Sequence, residues 1–443
     1  MLEANVKIIS TLKTFLFSVS SDSALRSLFT TSSTYFSRKR KLTFEHIVLF
    51  ILRLNKKTLS TDLENYFNEL KSKLHCSVSA FSQQRIKLEP YFFRIWNDVL
   101  CQSFYVNVKS KVKKWNDFLV FACDGSSITL TNKPELKAYF GGQGVPGGSS
   151  VLAKTFFCYD VLNKMIFHSA ISPYRYSEFQ MACDFIDCGR LKSDFLLIFD
   201  RLYSAYNIVA LFKYNENNVN FLIRTNTNYN YVKTFLKSKK KSTIIHLFPT
   251  DNSKKNLLKR GYKVHNNDGI KVRLVRVDLS NKNIEVLMTS LLDEVKYPNC
   301  EFKKLYAKRW GVETSIDFQK NILQLESMSG SSVKTIEQDF YATVMTANLH
   351  FLIVSPVQEI VDKTIINRKY PMKVNMNKAA GKIKTFIVQL FKSKSLKTIL
   401  LEIQNYVIQF LLPVRAGRSF RRIRKNQQTR SKHRTFTNYK PAF

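Results

Sequence analysis

Residues 118–126 read Phe-Leu-Val-Phe-Ala-Cys-Asp-Gly-Ser, an uninterrupted apolar run that ends at the carboxylate of Asp124. Such a run predicts a short strand buried on both faces, and the Asp-Gly pair predicts the turn after it. A second apolar run, Phe195–Phe199, ends in the same way at Asp200. Because ligands of an open sheet collect where its parallel strands end, the two aspartates are candidates for one site. Each aspartate taken alone is more often a turn former.

The segments around these two runs predict an α/β fold. Strand-like pieces lie at 155–159 and 165–171, and a helical segment follows at 177–188. Beyond Asp200 come a second helix at 205–212 and a last strand at 221–223. The resulting order is β-β-β-α-β-α-β. A glycine-rich stretch at 141–148 lacks the GxxxxGK[ST] pattern of a phosphate-binding loop, so we expect a mobile loop there.

The regions that flank this core differ from it in composition and pattern. Residues 1–112 read as helical and basic, and two helical pieces surround a short turn within residues 63–88. Arg85 and Lys87 lie on the second piece, which fits a helix-turn-helix that reads DNA. A helical bundle with a solvated basic face is the more common source of such a pattern.

A further segment, residues 226–300, looks like a β-rich insertion. Ile270 and Val272 alternate with Lys271, and residues 284–288 are another strand candidate. Helical patterns resume after this segment and continue to about residue 411.

The charge balance points to a polyanionic partner. Of the 443 residues, 70 are Lys or Arg and 33 are Asp or Glu, which leaves a net charge of +37. A field of this size suits nucleic acid or an anionic membrane surface. Residues 415–440 contain ten Lys and Arg and no acidic residue, a block typical of a phosphate-seeking arm or of a plain solubilising tail.

Membrane attachment is the weaker of the two interpretations. The longest apolar stretch, 341–357, is short for a span and is interrupted by Thr343, Thr346, Asn348 and His350. The first ten residues lack the charged-then-apolar order of a signal peptide, so we expect a cytoplasmic protein. Seven cysteines without a CxxC pair then predict reduced thiols rather than a disulfide framework or a zinc site.

Four residues with side chains suited to phosphodiester chemistry share one stripe of a predicted helix. Tyr306, Arg309, Glu313 and Lys320 fall at roughly 0°, −60°, −20° and −40° around a helix that turns about 100° per residue. An Arg–Glu pair at i,i+4 also occurs on ordinary solvated helices. An aromatic ring, two cations and a carboxylate on one arc can bind a metal ion and grip phosphate oxygens.

Taken together, three signatures carry a family resemblance: Asp124-Gly125-Ser126, Asp200-Arg201-Leu202-Tyr203 and the stripe from Tyr306 to Lys320. They are similar to those of DDE transposases from bacterial insertion sequences. More narrowly, they resemble the insertion sequence four family with its Tyr-Arg-Glu-Lys pattern. That family usually has Gly where this chain has Leu202, so we expect a stiffer loop after Asp200.

The resemblance implies an RNase H-like catalytic core with a β-rich insertion, preceded by a helical N-terminal domain and followed by C-terminal helices and a basic tail. The implied boundaries are 1–112 for the DNA-end-binding domain, 113–225 and 301–355 for the core, 226–300 for the insertion, 356–412 for the C-terminal helices and 413–443 for the tail. Asp124, Asp200 and Glu313 would hold two Mg²⁺ ions, with Mn²⁺ as a substitute. Carboxylate oxygens are the ligands that such hard cations prefer.

By the same resemblance, Tyr306, Arg309 and Lys320 would hold phosphates of the cleaved DNA end, with Arg201 and Trp310 as weaker candidates. The implied activity is metal-dependent cleavage at the inverted repeats of an element, closure of a hairpin, its reopening and transfer into target DNA. The implied assembly is a homodimer on double-stranded DNA in the bacterial nucleoid.

Family members often hold a flipped base with an aromatic residue of the insertion, and Tyr229, Tyr231 and Phe235 are the candidates here. Two other functions remain open: a DNA-binding repressor derived from a transposase, and a structure-selective nuclease on the same core. The presence of every acidic and basic signature residue argues against the repressor, since loss of any one would end catalysis.

Overall fold

A mixed sheet of nine strands lies at the centre of the described chain, which comprises residues 1–38, 40–54, 58–71, 75–145, 148–214, 217–279, 283–364 and 368–415 of the computed structural model. Its strands are β1 (Leu119–Leu130), β2 (Gly142–Val145), β3 (Gly148–Asp160), β4 (Met165–Pro173), β5 (Phe195–Phe199), β6 (Asn220–Arg224), β7 (Ser242–Leu247), β8 (Ile270–Asp278) and β9 (Ile284–Thr289). Strand β1 pairs antiparallel with β3 and parallel with β5, β4 pairs with β3, and β6 continues parallel beyond β5. The predicted mixed α/β class is confirmed, and the spatial order β4-β3-β1-β5-β6 is consistent with an RNase H-like core.

Strands β5 and β6 are buried because helices cover both faces of the sheet. All five residues of β5 are buried, as its continuous apolar run predicts. The helices of this part of the chain are α7 (Pro134–Phe140), α8 (Glu178–Asp187), α9 (Tyr206–Tyr214), α10 (Asn230–Lys237), α11 (Asp251–Leu258), α12 (Asn299–Ala307) and α13 (Trp310–Asp317). A 3₁₀ turn at Arg201–Tyr203 follows β5, and a π-helical turn at Phe318–Ile322 follows α13.

The segment predicted as a β-rich insertion is part of the central sheet. Strand β9 pairs antiparallel with β6, and β8 and β7 follow it outward, so the three strands extend the sheet at its parallel edge. Helices α10 and α11 also lie within the segment. The segment predicted as a β-rich insertion therefore extends the central sheet, and the open edge of β6 is satisfied by strands that follow it in the chain.

The glycine-rich stretch predicted as a mobile loop instead contributes β2, which pairs antiparallel with the start of β3. Gly142 is required there, because a Cβ atom would lie 1.9 Å from the carbonyl oxygen of Ser150. Gly142 thus allows the close approach of two strands, and residues 142–145 do not form a free loop.

Helices from both ends of the chain share one apolar core. Before the sheet come α1 (Leu2–Ser21), α2 (Ser23–Ser27), α3 (Phe44–Arg53), α4 (Leu59–Glu69), α5 (Val78–Arg85) and α6 (Tyr91–Asn107), and after it α14 (Val333–Thr364), α15 (Met376–Lys392) and α16 (Leu396–Ile408). A small pair of strands, β10 (Met372–Val374) and β11 (Leu411–Pro413), joins α14 to the end of α16. The core contains Phe92 and Trp96 beside Leu349 and Ile383, so the N-terminal and C-terminal helices pack as one body.

Arg85, which the sequence analysis placed on the second helix of a possible DNA reader, is buried and bound to α14. Its guanidinium donates to Asp339 at 2.8 Å, to Gln338 and Ser329 at 2.6 Å, and to the Thr335 carbonyl at 3.0 Å. It is 2% exposed, so it does not face DNA. The reading of this residue as a DNA contact is wrong, and its charge instead fixes the N-terminal helices to the helix that follows the core.

The apolar stretch considered as a membrane span lies in α14. This helix is long and apolar enough to cross a membrane by length and composition, but 89% of its most apolar window is buried inside the protein. The core helix of a globular protein passes the same composition test. Of the basic tail, residues 416–443 lie outside the described residues.

Candidate active site

Asp124 and Asp200 lie just beyond the residues through which β1 and β5 pair in parallel. Ala122 of β1 pairs with Ile198 of β5, and each aspartate follows two residues later. Asp200 directly follows the end of β5, but the turn predicted at Asp124-Gly125 is wrong, because β1 continues through both residues to Leu130 and pairs there with β3. Because side chains alternate between the faces of a sheet, both aspartates share the face of Ala122 and Ile198. Neighbouring strands are about 4.8 Å apart where they pair. The sheet therefore brings together two carboxylates that are 76 residues apart in the chain.

The covering helices bring a third carboxylate to the same face. On α12, Phe302 and Leu305 pack against β1 and β5, and on α13 the buried Val312 packs in the next cluster beside Ala122. Glu313 follows Val312 and lies at the sheet edge rather than beneath it. Its position thus depends on the apolar side chains that dock α13 onto the sheet.

A single guanidinium connects two of the carboxylates. Nη2 of Arg309 lies 2.6 Å from Oε1 of Glu313, and Nη1 lies 3.4 Å from Oδ2 of Asp124. Arg309 is only 8% exposed and lies between the rings of Tyr306 and Trp310, at 5.9 and 5.3 Å from their centroids. Burial strengthens these charge interactions, because little water screens them.

Two buried polar atoms next to this guanidinium have no hydrogen-bond partner among the described residues. They are Nε of Arg309 and the hydroxyl of Tyr306, whose side chain is 8% exposed. A buried donor without a partner costs about 1–3 kcal/mol, so natural proteins keep few of them. Both donors are available to a ligand with acceptor oxygens.

Lys320 reaches the site through the π-helical turn. Its Nζ donates to Oγ of Ser126 at 2.8 Å and to the Ser127 carbonyl at 2.7 Å, both just beyond Asp124 on β1. The expectation of one regular helix through all four stripe residues is corrected: Tyr306 lies in the last turn of α12, Arg309 precedes α13, and Lys320 lies in the π turn. The four side chains nevertheless converge, and π turns are frequent at functional sites.

The charges of the site shift the acidity of Asp124. The pKa of this carboxyl is raised from 3.8 to about 6, mainly by burial and to a smaller degree by the nearby Asp200 and Glu313. The Arg309 guanidinium and the Gly125 amide, which donates to Oδ1 at 2.9 Å, oppose this rise. Carboxylates crowded in this way favour the arrival of a cation.

The chain was compared with protein families, curated proteins and solved structures. Residues 115–349 match the family model described as a transposase DDE domain, which covers more than half of the chain. The chain belongs to the DDE transposase family. Among solved structures it is similar to one described as a cryo-EM structure of a piggyBac transposase synaptic complex with hairpin DNA. That similarity has 11% sequence identity and a TM-score of 0.40, and covers 98% of this chain and 88% of the other. No curated protein matched.

In this DDE transposase, the two weaker candidates lie at the rim of the site. Trp310 is 54% exposed, and Arg201 is exposed on the 3₁₀ turn after Asp200. Leu202, which stands where the resembled family usually has Gly, is 53% exposed on the same turn. Its amide donates to Oδ1 of Asp200 at 2.7 Å, and this bond orients the carboxylate.

The three aromatic candidates for holding a flipped base differ in exposure. Phe235 is 3% exposed in the core, so its ring is not presented to a base in this conformation. Tyr229 and Tyr231 stack on each other with ring centroids 5.3 Å apart and are partly buried. No contact identifies one of them as the base-holding residue.

Three residues of this DDE transposase that the sequence analysis did not single out lie at the site. Ser126 and Tyr203 belong to the quoted signatures, and their spacing from the aspartates was the available signal. Glu178, the first residue of α8, gave no signal, because a Glu after a capping Ser is ordinary. Within the described ranges, no three Asp, Glu, His or Cys side chains are grouped closely enough to hold a metal ion in this conformation.

Proposed function

We propose that this DDE transposase cleaves DNA at the ends of a mobile element and transfers the freed strand into target DNA. The observation that carries the proposal is the Arg309 guanidinium between the carboxylates of Asp124 and Glu313, beside Asp200. Acidic ligands and a phosphate-binding cation at one edge of the sheet are what phosphodiester chemistry requires. By its Tyr-Arg-Glu-Lys signature we place the chain in the insertion sequence four family, of bacterial origin.

A divalent cation fits the residues present. The donor set consists of carboxylate oxygens, which suit Mg²⁺ and Mn²⁺, and desolvation of Asp124 favours a cation beside it. Asp124, Asp200 and Glu313 would hold two ions. When bound, such ions activate a water or a 3′-hydroxyl and stabilise the leaving oxygen. In the arrangement described here, Arg309 provides the positive charge between two of these ligands.

The remaining residues of the site would bind and orient the DNA. Arg309 can turn its guanidinium toward a phosphate, and the unpaired Nε atom offers a further donor. The buried hydroxyl of Tyr306, a residue that is 8% exposed, offers another donor. The side chain of Lys320 is held next to Asp124 by its hydrogen bond to Ser126. Arg201 and Trp310 at the rim are exposed, where they would contact the strand outside the scissile phosphate.

Strand transfer through a hairpin follows from the same family assignment. After the first cut, the freed 3′-hydroxyl would attack the opposite strand, and the hairpin would be reopened before joining to target DNA. The bases at the tip of a tight hairpin cannot stay stacked, so one of them would be extruded. Two copies of the chain would hold the two element ends in a synapse. The net charge of +37 supports a large phosphate interface.

The test is incubation of the purified protein with a linear fragment that carries the element end. Mg²⁺-dependent nicks together with hairpins would support the transposase. Nicks alone would indicate a structure-selective nuclease, and a shifted but uncut band would indicate a repressor derived from a transposase. Either of the latter results would overturn the proposal.

The matched variants are Glu313→Gln and Asp317→Asn, which remove one negative charge each from α13. Glu313→Gln should retain end binding and lose cleavage. Asp317 is exposed on the same helix, so its variant should cut like the wild type. Cutting by Glu313→Gln at the wild-type rate would refute the assigned role.

A further inference from the structure

A fourth carboxylate lies against the backbone next to Asp124. A Cβ atom added to Gly125 would lie 2.3 Å from Cγ, 2.4 Å from Cδ and 2.7 Å from Oε2 of Glu178. The carboxyl group of Glu178 therefore occupies the space that a side chain at position 125 would need. Only glycine allows this approach, and this glycine directly follows Asp124.

The position of Glu178 is fixed by the start of α8. Ser177 caps the helix: its hydroxyl accepts from the Gln180 amide at 3.2 Å, and the Gln180 side chain accepts from the Ser177 amide at 3.0 Å. Met181 and Phe185 of the same helix are buried against the sheet. The N-terminal cap and the buried face of α8 thus fix this helix, and Glu178 at its start is held against Gly125 of β1.

Glu178 is paired with a lysine in this conformation. Nζ of Lys154 lies 2.9 Å from Oε1 of Glu178, and each side chain is 20% exposed. Lys154 is on β3, opposite Ser127 of β1, and its ammonium lies 5.1 Å from the centre of the Tyr174 ring. An ion pair of this exposure contributes little to stability, so its position next to the carboxylates calls for another explanation.

A buried hydroxyl without a partner points to the same place. Tyr203 is fully buried, and its hydroxyl has no hydrogen-bond partner among the residues that the structure describes. Burial raises the pKa of Tyr203 well above its usual range, and the charges of Asp124, Glu178 and Asp200 raise it further. The phenol therefore lies within electrostatic reach of these three carboxylates, from two sides of Gly125.

We propose that Glu178 is a fourth carboxylate of the cation site formed by Asp124, Asp200 and Glu313, and that Lys154 occupies it when no metal is bound. This inference rests on the proposed function. Arg309 and Lys154 then have parallel roles: each neutralises part of the acidic group with a side-chain cation. Tyr203 is a positioning residue, whose hydroxyl proton is available to the carboxylates when they rearrange around a metal ion.

The inference is tested by titrating the full chain with Mn²⁺ alone, without DNA, by calorimetry. Glu178→Gln should weaken Mn²⁺ binding about tenfold or more, the usual effect of losing a group that supports a metal site. Lys154→Met should bind Mn²⁺ as tightly as the wild type or more tightly, because a competing cation is gone. An ion pair that only supports the fold would make the two variants behave alike.

Glu89→Gln is the matched control. Glu89 pairs with Lys334 at 2.9 Å, with side-chain exposures of 23% and 24%, and neither residue lies on an element that carries the proposed cation site. It should leave Mn²⁺ binding unchanged. Thermal unfolding of each variant checks that it folds. If Glu178→Gln does not fold, Glu178→Asp replaces it, because it keeps the charge on a shorter side chain. Glu178→Asp should then weaken Mn²⁺ binding to a smaller degree.

The outcomes separate this inference from the proposed function. If the wild type binds Mn²⁺ and Glu313→Gln weakens it while Glu178→Gln does not, the role of Glu178 is overturned and the transposase site stands. Mn²⁺ binding that Glu313→Gln leaves unchanged would overturn both. Equal weakening by Glu178→Gln and Lys154→Met would also overturn the role of Glu178, since it would show a purely structural pair.

Discussion

The carboxyl group of Asp124 should cost the metal-free protein stability at neutral pH, and Asp124→Asn should recover it. The pKa of this group is about 6 in the folded chain, compared with 3.8 without burial. The folded state therefore holds the proton more tightly, so its stability falls as pH rises from about 4 to about 6. A difference of about 2 pKa units corresponds to about 3 kcal/mol. Asparagine is neutral throughout and avoids this cost.

The assay is thermal unfolding in EDTA at pH 4 and at pH 8. With an unfolding entropy of about 2.1 cal/mol/K per residue, 3 kcal/mol corresponds to about 3 °C for a chain of this length. Asp124→Asn should unfold about 3 °C above the wild type at pH 8 and level with it at pH 4. Asp317→Asn, which removes an exposed carboxylate of α13, should show no such pH-dependent gain.

Adding Mg²⁺ should reverse the sign of the difference. A ligand that binds only the folded state stabilises it by about 4.1 kcal/mol at 1,000 times its dissociation constant, which exceeds the advantage of about 3 kcal/mol that Asp124→Asn has in EDTA. The wild type should gain this stability, and Asp124→Asn should not. The reasoning is refuted if Asp124→Asn is no more stable than the wild type at pH 8 in EDTA, or if its advantage grows toward acid pH.

Three further results are expected. Arg85→Met should lower the free energy of unfolding by about 3–5 kcal/mol, because the buried carboxylate of Asp339 loses the guanidinium that balances its charge. Lys87→Met should have little effect, and chemical denaturation measures both variants. Tyr306→Phe should leave stability unchanged or slightly higher and reduce cleavage, because it removes only a buried hydroxyl without a protein partner. Binding to a fragment with the element end should weaken steeply with added salt in a gel-shift titration, and a flat response would contradict a phosphate-dominated interface.

The elements that carry the two aspartates could be predicted from sequence because their signal is local. The five apolar residues before Asp200 form the buried strand β5, as their pattern predicts, and the run before Asp124 also lies in a strand. The end of that strand was not predicted, because β1 continues beyond Asp124 to Leu130 by pairing with β3. The elements of the predicted order β-β-β-α-β-α-β are all present, but α7 and β2 lie between the first and second of these strands and were not predicted. Tyr306 and Glu313 lie near Arg309 because they are only three and four residues away from it, although the predicted continuous helix is interrupted between α12 and α13.

What the sequence analysis missed depends on contacts between distant residues. The basic face of α5 was visible in the sequence, but the partner of Arg85 is Asp339, 254 residues further on. The pairing of β9 with β6 likewise joins strands that alternate like any others, so no local pattern distinguishes them from a separate sheet. The π turn that carries Lys320 cannot be read from a helical wheel, because the wheel assumes constant rotation per residue.

The arrangement of charges explains why the chain can hold so many acidic groups at one edge before any cation arrives. Asp124 and Glu313 share Arg309, and Glu178, which lies against Gly125, is paired with Lys154. Without these side chains, several carboxylates would repel one another in a partly dry environment, at a cost of several kcal/mol. A guanidinium can both pair with the carboxylates and bind a phosphate of DNA, since its planar donors match carboxylate and phosphate geometry alike. The same side chain can therefore stabilise the empty site and, by turning from Asp124 toward a phosphate, leave that carboxylate free to bind a cation.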